Sequence, residues 1–296
     1  QFMEKLIACP SYNYCDVYVS PVKSFPYYIA TGYHRLKSTC KTTYQSSDSI
    51  VEKSVFAYDT ERPYNIISKS SLCSGGAEQV ERTYYSNNTI PDKESLTTSQ
   101  RSAIQLLTSR NYLTTPVQQT MEKKDKRLYS VLRGYSSSLS SGMVVEDQYY
   151  CKGTDKYEKR ISYNKYDIYG NPVYINKDGA EKVVYLWGYK GQYLLAEIKG
   201  ATYEEVKKAL MVDPASMSSC ILPSIPLYLN MIDNLYKALP SALITSYTYH
   251  PLIGVSGIIS PNKAKTTFEY NSDSQLIRIK DTEGKTMEEY QYHFRP

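Results

Sequence analysis

The chain takes almost all of its aromatic bulk from tyrosine, with 32 tyrosines against five phenylalanines and one tryptophan in 296 residues. Many of these tyrosines stand in short segments that Asp, Asn and Gly interrupt. Tyrosine suits a pleated surface that is buried on one side, because its ring packs while its hydroxyl still reaches water or a backbone group. The composition therefore predicts repeated β-structure rather than a globular core rich in Phe and Leu.

Residues 166–187 predict a strand, a turn, a strand, a second turn and a third strand. Glycine can adopt the positive φ that such turns require, and Asp-Gly is a favoured hairpin pair. An Asx side chain that caps its own turn accounts for the polar pair at 167 and 171 without any chemistry. The predicted turn residues of this segment are Tyr166, Asp167, Gly170, Asn171, Asp178 and Gly179.

Residues 268–294 look like a second copy, in which Tyr270 and Asn271 take the place of Tyr166 and Asp167 and Gly284 marks the later turn. Residues 285–294 are predicted to form its closing strand. Weaker copies are predicted at 58–64 and 82–88. The glycine of the first turn is replaced by Ser274 in one copy and by Arg62 in another, so we expect those turns to use another geometry or a longer loop.

Two segments break the β pattern. Apolar residues at helical spacing predict a short amphipathic helix near 99–110. An insertion at 202–239 is predicted to hold a helical hairpin, because Thr202 and Glu205 form a capping box and Pro240 ends the second helix. We expect a single β domain over 1–296 that carries this insertion, with a sub-boundary near 116–145.

Several strings in the chain resemble the C-terminal part of large surface-associated members of the bacterial RHS/YD-repeat family. The family is named for Tyr-Asp in a turn context such as 166–171. The resemblance extends over most of the chain, through residues 32–38, 110–116, 166–171, 185–189, 196–198, 248–255 and 290–294.

The resemblance implies a mainly β protein, in which antiparallel hairpin repeats form an extended, twisted and curved sheet. In toxin-associated relatives such a sheet closes around a cargo, and a motif with aspartates cuts off a variable C-terminal toxin. This chain shows no self-cleavage motif and departs from the cargo-carrying relatives in that respect, so its association with a cargo is left open. The repeats themselves are not catalytic in the family.

The residues support no reaction chemistry. The six cysteines form no C-x-x-C pair and the three histidines lie far from them, so no metal site is expected. No G-x-S-x-G elbow and no phosphate-binding glycine motif occurs. Adjacent carboxylates such as Glu204-Glu205 point apart on a regular element, whereas glycoside hydrolysis needs two that face each other. We therefore expect no catalytic residue, no cofactor and no enzyme activity.

The sequence leaves the state of the cysteines open. Cys9 and Cys15 could form a disulfide bridge, or the thiols could be free and mostly buried.

One aromatic stretch, residues 185–193, carries a binding hypothesis. Exposed rings in a row could stack on sugar rings or anchor a protein partner. A single Trp on a strand is more often part of a core. The candidate ligand platform consists of Tyr185, Trp187, Tyr189 and Tyr193.

Charge and hydropathy bound the partners. The net charge is +5, but the basic residues alternate with acidic ones, so nucleic acid is not an expected partner. No apolar run approaches the ~18 residues of a membrane-spanning helix, so no transmembrane segment is expected. The start at Gln1 without a signal-like segment leads us to expect a mature or excised fragment. Two open sheet edges predict self-association or continuation into further repeats.

Together these observations predict a non-enzymatic scaffold that is secreted or attached to the bacterial cell surface. It would serve in adhesion to a protein or glycan, or as part of a larger β-envelope. The alternative is a carbohydrate-binding module that uses exposed Tyr and Trp rings.

Overall fold

The computed structural model describes residues 34–45, 48–72, 76–139, 142–219 and 225–293. The chain divides into two compact units, Gln1–Arg35 and Leu36–Pro296. Only His34 and Arg35 of the first unit are among the described residues, so everything below concerns the second. Cys9, Cys15, Cys73 and Cys220 lie outside the described residues. Cys40 and Cys151 carry free thiols.

The second unit is one antiparallel sheet whose strands lie side by side in chain order. The end strands, β1 and β16, do not pair with each other, so the sheet is open. This confirms the mainly β, antiparallel hairpin fold predicted from the sequence. The strands are β1 Ser38–Gln45, β2 Asp48–Tyr58, β3 Ile66–Leu72, β4 Glu78–Tyr85, β5 Pro116–Lys123, β6 Lys126–Leu139, β7 Gly142–Lys152, β8 Glu158–Tyr166, β9 Pro172–Lys177, β10 Glu181–Gly188, β11 Tyr193–Lys199, β12 Leu243–His250, β13 Gly254–Ile259, β14 Lys265–Tyr270, β15 Leu276–Lys280 and β16 Thr286–Glu289.

Because every strand is antiparallel to the next, the connections alternate between the two ends of the sheet. We call the end where even-numbered strands finish and odd-numbered strands begin the clamp rim. The other end is the opposite rim. Residues that recur at the ends of even-numbered strands are therefore brought into one row along the clamp rim.

Helix α1, Thr98–Ser109, lies between β4 and β5 and matches the helix predicted near 99–110. It begins with a capping box between Thr97 and Gln100. Its buried residues pack with Val117 of β5 and Leu132 of β6 in one hydrophobic cluster. Each such buried aliphatic side chain contributes about 1.5–3 kcal/mol of transfer free energy.

The predicted insertion between β11 and β12 contains two α-helices, α2 Tyr203–Leu210 and α3 Ile225–Ala238, with a short 3-10 helix, Pro214–Ser219, between them. The capping box of Thr202 and Glu205 is present. Val206 and Leu235 pack with Ile244 and other buried residues of β10–β12. A second short 3-10 helix, Lys93–Ser95, precedes α1. None of the helices in the described part of the chain is long and apolar enough to cross a membrane.

The final strand is shorter than predicted. The sequence suggested a closing strand over 285–294, whereas β16 ends at Glu289. The backbone amide of Tyr290 still donates to the carbonyl of Ile277, but β15 offers only five residues to pair with.

Candidate functional site

The most regular feature of the molecule is a row of aromatic side chains along the clamp rim. Each even-numbered strand from β2 to β14 carries an aromatic residue at its end or within the four residues before it. That residue donates its polar hydrogen to a backbone carbonyl at or near the start of the preceding odd-numbered strand. Tyr292, just beyond β16, makes the same bond to Leu276. We call these residues the aromatic clamps.

Seven clamps are tyrosines and one is the single tryptophan. The donor–acceptor pairs are Tyr58 Oη to Leu36 O at 3.0 Å, Tyr85 Oη to Ile66 O at 3.0 Å, Tyr135 Oη to Pro116 O at 2.8 Å, Tyr166 Oη to Val145 O, Trp187 Nε1 to Pro172 O at 2.8 Å, Tyr249 Oη to Leu194 O at 2.8 Å, Tyr270 Oη to Val255 O at 2.9 Å and Tyr292 Oη to Leu276 O at 2.8 Å.

A β-bulge precedes each clamp that is followed by another strand. The pairing between an even-numbered strand and the next strand shifts its register immediately before the clamp, as it does between Ala57 and Tyr58, between Leu186 and Trp187 and in the five other pairings. A bulge adds one residue and re-aims the side chain that follows it. The bulge and the clamp are therefore one repeated device.

Several of the clamps are partly dehydrated. Burial raises the pKa of Tyr135 to about 12, and it raises the pKa of Tyr249 to about 12 as well. Burial also raises the pKa of Tyr166. These hydroxyls stay protonated at physiological pH, which is the state that donates a hydrogen bond.

The residue after Tyr166 caps the turn that follows. The Asp167 carboxylate is buried and accepts the backbone amides of Tyr169 at 2.9 Å and Asn171 at 2.8 Å. The amide nitrogen of the Asn171 side chain donates to the second carboxylate oxygen. Gly170 adopts a φ of +85° within this turn. The Tyr-Asp pair thus combines two roles. Tyr166 is the clamp that holds the previous strand, and Asp167 is the cap that fixes the next turn.

The second copy has the same turn. The side-chain oxygen of Asn271 accepts hydrogen bonds from the backbone amides of Asp273 and Gln275. The backbone amide of Asn271 donates to the backbone carbonyl of Gln275. Ser274 stands where Gly170 does and adopts a φ of +62°. The expectation that Ser274 requires another geometry is therefore wrong, because a serine here takes the left-handed conformation that glycine takes in the first copy.

The five-residue turn also occurs on the opposite rim. Asp281 accepts the backbone amides of Glu283 and Lys285, and Gly284 adopts a φ of +81°. Asp178 and Gly179, on the same rim, both have positive φ, at +49° and +72°. Positive φ at both central residues is the mark of a type I′ hairpin turn.

The copy at Arg62 uses the longer loop. Asp59 accepts the backbone amides of Glu61 and Arg62. The loop closes only at Asn65, whose carbonyl accepts the amide of Asp59 at 2.9 Å. This loop, residues 59–65, is thus two residues longer than the turn at 167–171.

The four platform residues do not form one flat surface. Trp187 is half-buried, and its indole nitrogen is used as a clamp. Tyr189 meets Tyr193 edge to face, with centroids 4.8 Å apart and planes at 78°. Tyr185 makes none of the ring contacts found among the described residues, and burial together with the charge of Glu197 raises its pKa to about 12. This geometry favours a structural role over stacking on a sugar.

The sequence missed the partner of these rings. Tyr249, a clamp on β12, lies 4.7 Å from Tyr193 between ring centroids. It is separated from Tyr193 by the helical insertion, so local spacing gave no signal. The clamps Tyr85, Tyr135 and Tyr292 were likewise not singled out, although each stands at the end of a strand-like segment.

Polar clusters elsewhere are engaged internally. Asp92 accepts hydrogen bonds from Gln118, Tyr157 and Arg127, with the Arg127 guanidinium at 2.6 Å. Gln100 is buried and donates to Asp147 at 3.1 Å. Over the described residues, no group of three His, Cys, Asp or Glu side chains is placed to hold a metal ion.

The fold and its clamps define a β-hairpin repeat protein. No family model and no curated protein matches the chain.

Among solved structures, a crystal structure of TcdB2-TccC3 aligns with a TM-score of 0.37 and 12% identity, covering 84% of this chain and 12% of that one. The structure of TcdB2-TccC3-Cdc42 aligns with a TM-score of 0.33 and 12% identity, covering 78% and 12%. A structure of the Photorhabdus luminescens Tc holotoxin pore gives 0.32 and 11%, covering 78% and 12%. The chain thus spans about an eighth of the length of each of these structures.

Proposed function

We propose that the chain is a non-enzymatic RHS/YD-repeat scaffold, secreted or displayed on the bacterial surface, whose sheet serves in adhesion or as part of a larger envelope. The observation that supports this most is the eight-fold row of aromatic clamps. The hydroxyls of the clamp tyrosines and the indole N–H of Trp187 donate hydrogen bonds to backbone carbonyls. The feature that recurs most in the chain therefore holds the hairpins in place. The Tyr-Asp turn of the sequence resemblance supports the same proposal.

A scaffold of this kind needs no activated group. The buried carboxylate of Asp167 is held by backbone amides, and the partly buried carboxylate of Asp92 is held by Arg127 and neighbouring donors. Both carboxylates thus find their hydrogen-bond donors within the fold itself. The polar interior therefore serves the fold.

Two measurements test the proposal. Surface biotinylation of intact cells of the native bacterium, followed by fractionation, should label the parent protein or recover it from the medium. A cytoplasmic protein of known abundance serves as the control. Recovery of the parent only in the cytoplasmic fraction would overturn the location.

The absence of catalysis is tested on the purified chain with panels of glycoside, ester and peptide substrates. We expect turnover no higher than that of the heat-denatured chain. Reproducible turnover that a single polar substitution abolishes would overturn the scaffold proposal.

A further inference from the structure

Three consecutive turns of the clamp rim are interlocked. They connect β8 to β9, β10 to β11 and β12 to β13. The side-chain amide of Asn171 donates to the carbonyl of Gly191 at 2.9 Å, which ties the first turn to the second. The backbone amide of Leu252 donates to the hydroxyl of Tyr193 at 3.1 Å, which ties the third to the second. These contacts hold the three turns as one fixed surface.

This surface exposes aliphatic and aromatic side chains. Ile168 is 60% exposed and Leu252 is 94% exposed, and Tyr169 and Ile253 are exposed beside them. We call these four residues the tip patch. The turns of the opposite rim differ, since they present polar residues such as Lys124-Asp125 and Asp178-Gly179. Apolar tips are therefore not a general property of the hairpins.

The backbone at Leu252 is strained. Its φ is +66°, a left-handed conformation in which Gly or Asn is preferred and a leucine is disfavoured. Strained residues persist where the surrounding structure holds them, and they concentrate at ligand-binding sites. Leu252 combines this strain with an almost fully exposed side chain on a turn that its own amide ties to the next turn. This combination points to a use outside the fold.

The charge around the tip patch has one sign. In residues 167–171, 189–193 and 249–253 the one acidic residue is Asp167, which is buried in its turn. Lys190 and His250 are exposed. Lys190 lies on the middle one of the three turns, between the apolar residues of the two outer turns. A partner that covers this surface would therefore meet a cationic group with apolar groups on either side of it.

We propose that the tip patch docks an extended or helical protein segment in which apolar side chains alternate with carboxylates. Leu252 and Ile168 are its apolar anchors and Lys190 pairs with a carboxylate of the segment. This inference rests on the proposed scaffold function and adds a partner of defined chemistry to it.

The experiment uses the purified chain and a fluorescent synthetic peptide in which Leu-Leu pairs alternate with Glu-Glu pairs. A matched peptide carries Lys in place of Glu. Fluorescence anisotropy should show the acidic peptide binding about tenfold more tightly than the basic one. Equal binding, tighter binding of the basic peptide or no binding would overturn the proposal.

The decisive variant is Leu252→Asn. Asparagine is better tolerated than leucine in the left-handed conformation, so this variant should unfold at the same or a higher temperature while its affinity for the acidic peptide falls about tenfold or more. The matched control is Met211→Asn, because Met211 is also 92% exposed with a φ of +57° but lies at the end of α2. That variant should bind as the unchanged chain does.

Competing occupants give distinct results. Self-association of the chain that Leu252→Asn abolishes would assign the tip patch to a second copy. Sedimentation with phosphatidylglycerol vesicles that depends on Leu252 would assign it to a lipid surface. Either result would overturn the acidic segment. The scaffold proposal would survive these results, because surface labelling and turnover test it separately.

Discussion

At the scale of single residues, the hydroxyl of tyrosine explains why this chain prefers it to phenylalanine. A clamp needs an aromatic ring that lies on the sheet and a donor at the far end of that ring. Phenylalanine has the ring without the donor, and Trp187 replaces tyrosine in one hairpin because its indole N–H reaches the carbonyl of Pro172. The clamps account for seven of the 32 tyrosines, and other tyrosines use their hydroxyls elsewhere, as Tyr157 does toward Asp92 and Tyr228 toward the carbonyl of Leu195.

Removing one clamp hydroxyl should cost stability. Tyr270→Phe keeps the ring but leaves the carbonyl of Val255 without this donor. A lost hydrogen bond of this kind lowers the free energy of unfolding by about 0.5–1.5 kcal/mol, as urea denaturation would measure. Tyr44→Phe is the control, because Tyr44 is 81% exposed on the first strand and should change stability by less than about 0.5 kcal/mol. Equal effects of the two substitutions would show that the clamp bond contributes nothing.

The turn residues carry a second prediction. Ser274 has a φ of +62° at the position where Gly170 and Gly284 have +85° and +81°. Ser274→Gly should therefore raise the free energy of unfolding by up to about 1 kcal/mol, because glycine avoids the strain of a Cβ in this conformation.

The reverse change provides the matched test. A Cβ built on Gly284 meets no atom within 4 Å, so Gly284→Ala should lose about 1 kcal/mol through the backbone conformation alone. Thermal or urea unfolding of both variants measures the two effects. A loss of stability on Ser274→Gly would contradict the assignment of strain.

At the scale of elements, the hairpin, its bulge and its clamp form one unit, and the helices cover only part of the sheet. Sequence periodicity predicted α1 to within one residue at each end, because its apolar residues recur at the spacing of a helix. It predicted the turns at 167–171 and 178–179 because Asx and Gly are specific to such turns. It failed at Ser274, since a serine in the left-handed conformation leaves no mark in the sequence.

The docking of α1 depends on one glycine. A Cβ on Gly134 of β6 would lie 2.3 Å from Cδ of Gln100, and the Gln100 side chain is held by bonds to Thr97 and Asp147. Gly134→Ala should lower the free energy of unfolding by about 1–3 kcal/mol because the buried glutamine cannot move away without losing those bonds.

A double-mutant cycle tests the cause. In a chain that carries Gln100→Ala the clash is gone, so Gly134→Ala should cost at least about 1 kcal/mol less than it does alone. Urea denaturation of the four variants gives the interaction energy. Strictly additive effects would mean that Gln100 is not what Gly134 makes room for.

At the scale of the whole molecule, the sequence predicted the class of the sheet but not its extent. Two copies of the hairpin were clear at 166–187 and 268–294, and the pattern at 58–64 and 82–88 was weak. The remaining hairpins lack the Tyr-Asp pair, as at Tyr135-Ser136 and Tyr249-His250. Strand order is also a non-local property, and the insertion between β11 and β12 separates strands that pair directly. Local spacing could therefore not reveal a row of clamps that the complete sheet brings together.

The same row makes the whole sheet sensitive to alkali. The ordinary pKa of tyrosine is 10.0, and burial raises the pKa of Tyr135 and Tyr249 to about 12. Burial and the charge of Glu197 do the same for Tyr185. Below pH 10 the folded and unfolded chains hold the same protons, so this contribution to stability is complete. Between pH 10 and about 12 the unfolded chain loses protons that the folded chain keeps, so unfolding becomes progressively more favourable as the pH rises.

We therefore expect cooperative alkaline unfolding that starts above pH 10, in which the buried tyrosines ionise only as the sheet is lost. Phenolate absorbance and far-ultraviolet circular dichroism, recorded on the same samples, should show a late absorbance step that coincides with the loss of β-structure. If every tyrosine ionised in one step while the sheet stayed intact, the clamp hydroxyls could not be the dehydrated hydrogen-bond donors that join the hairpins.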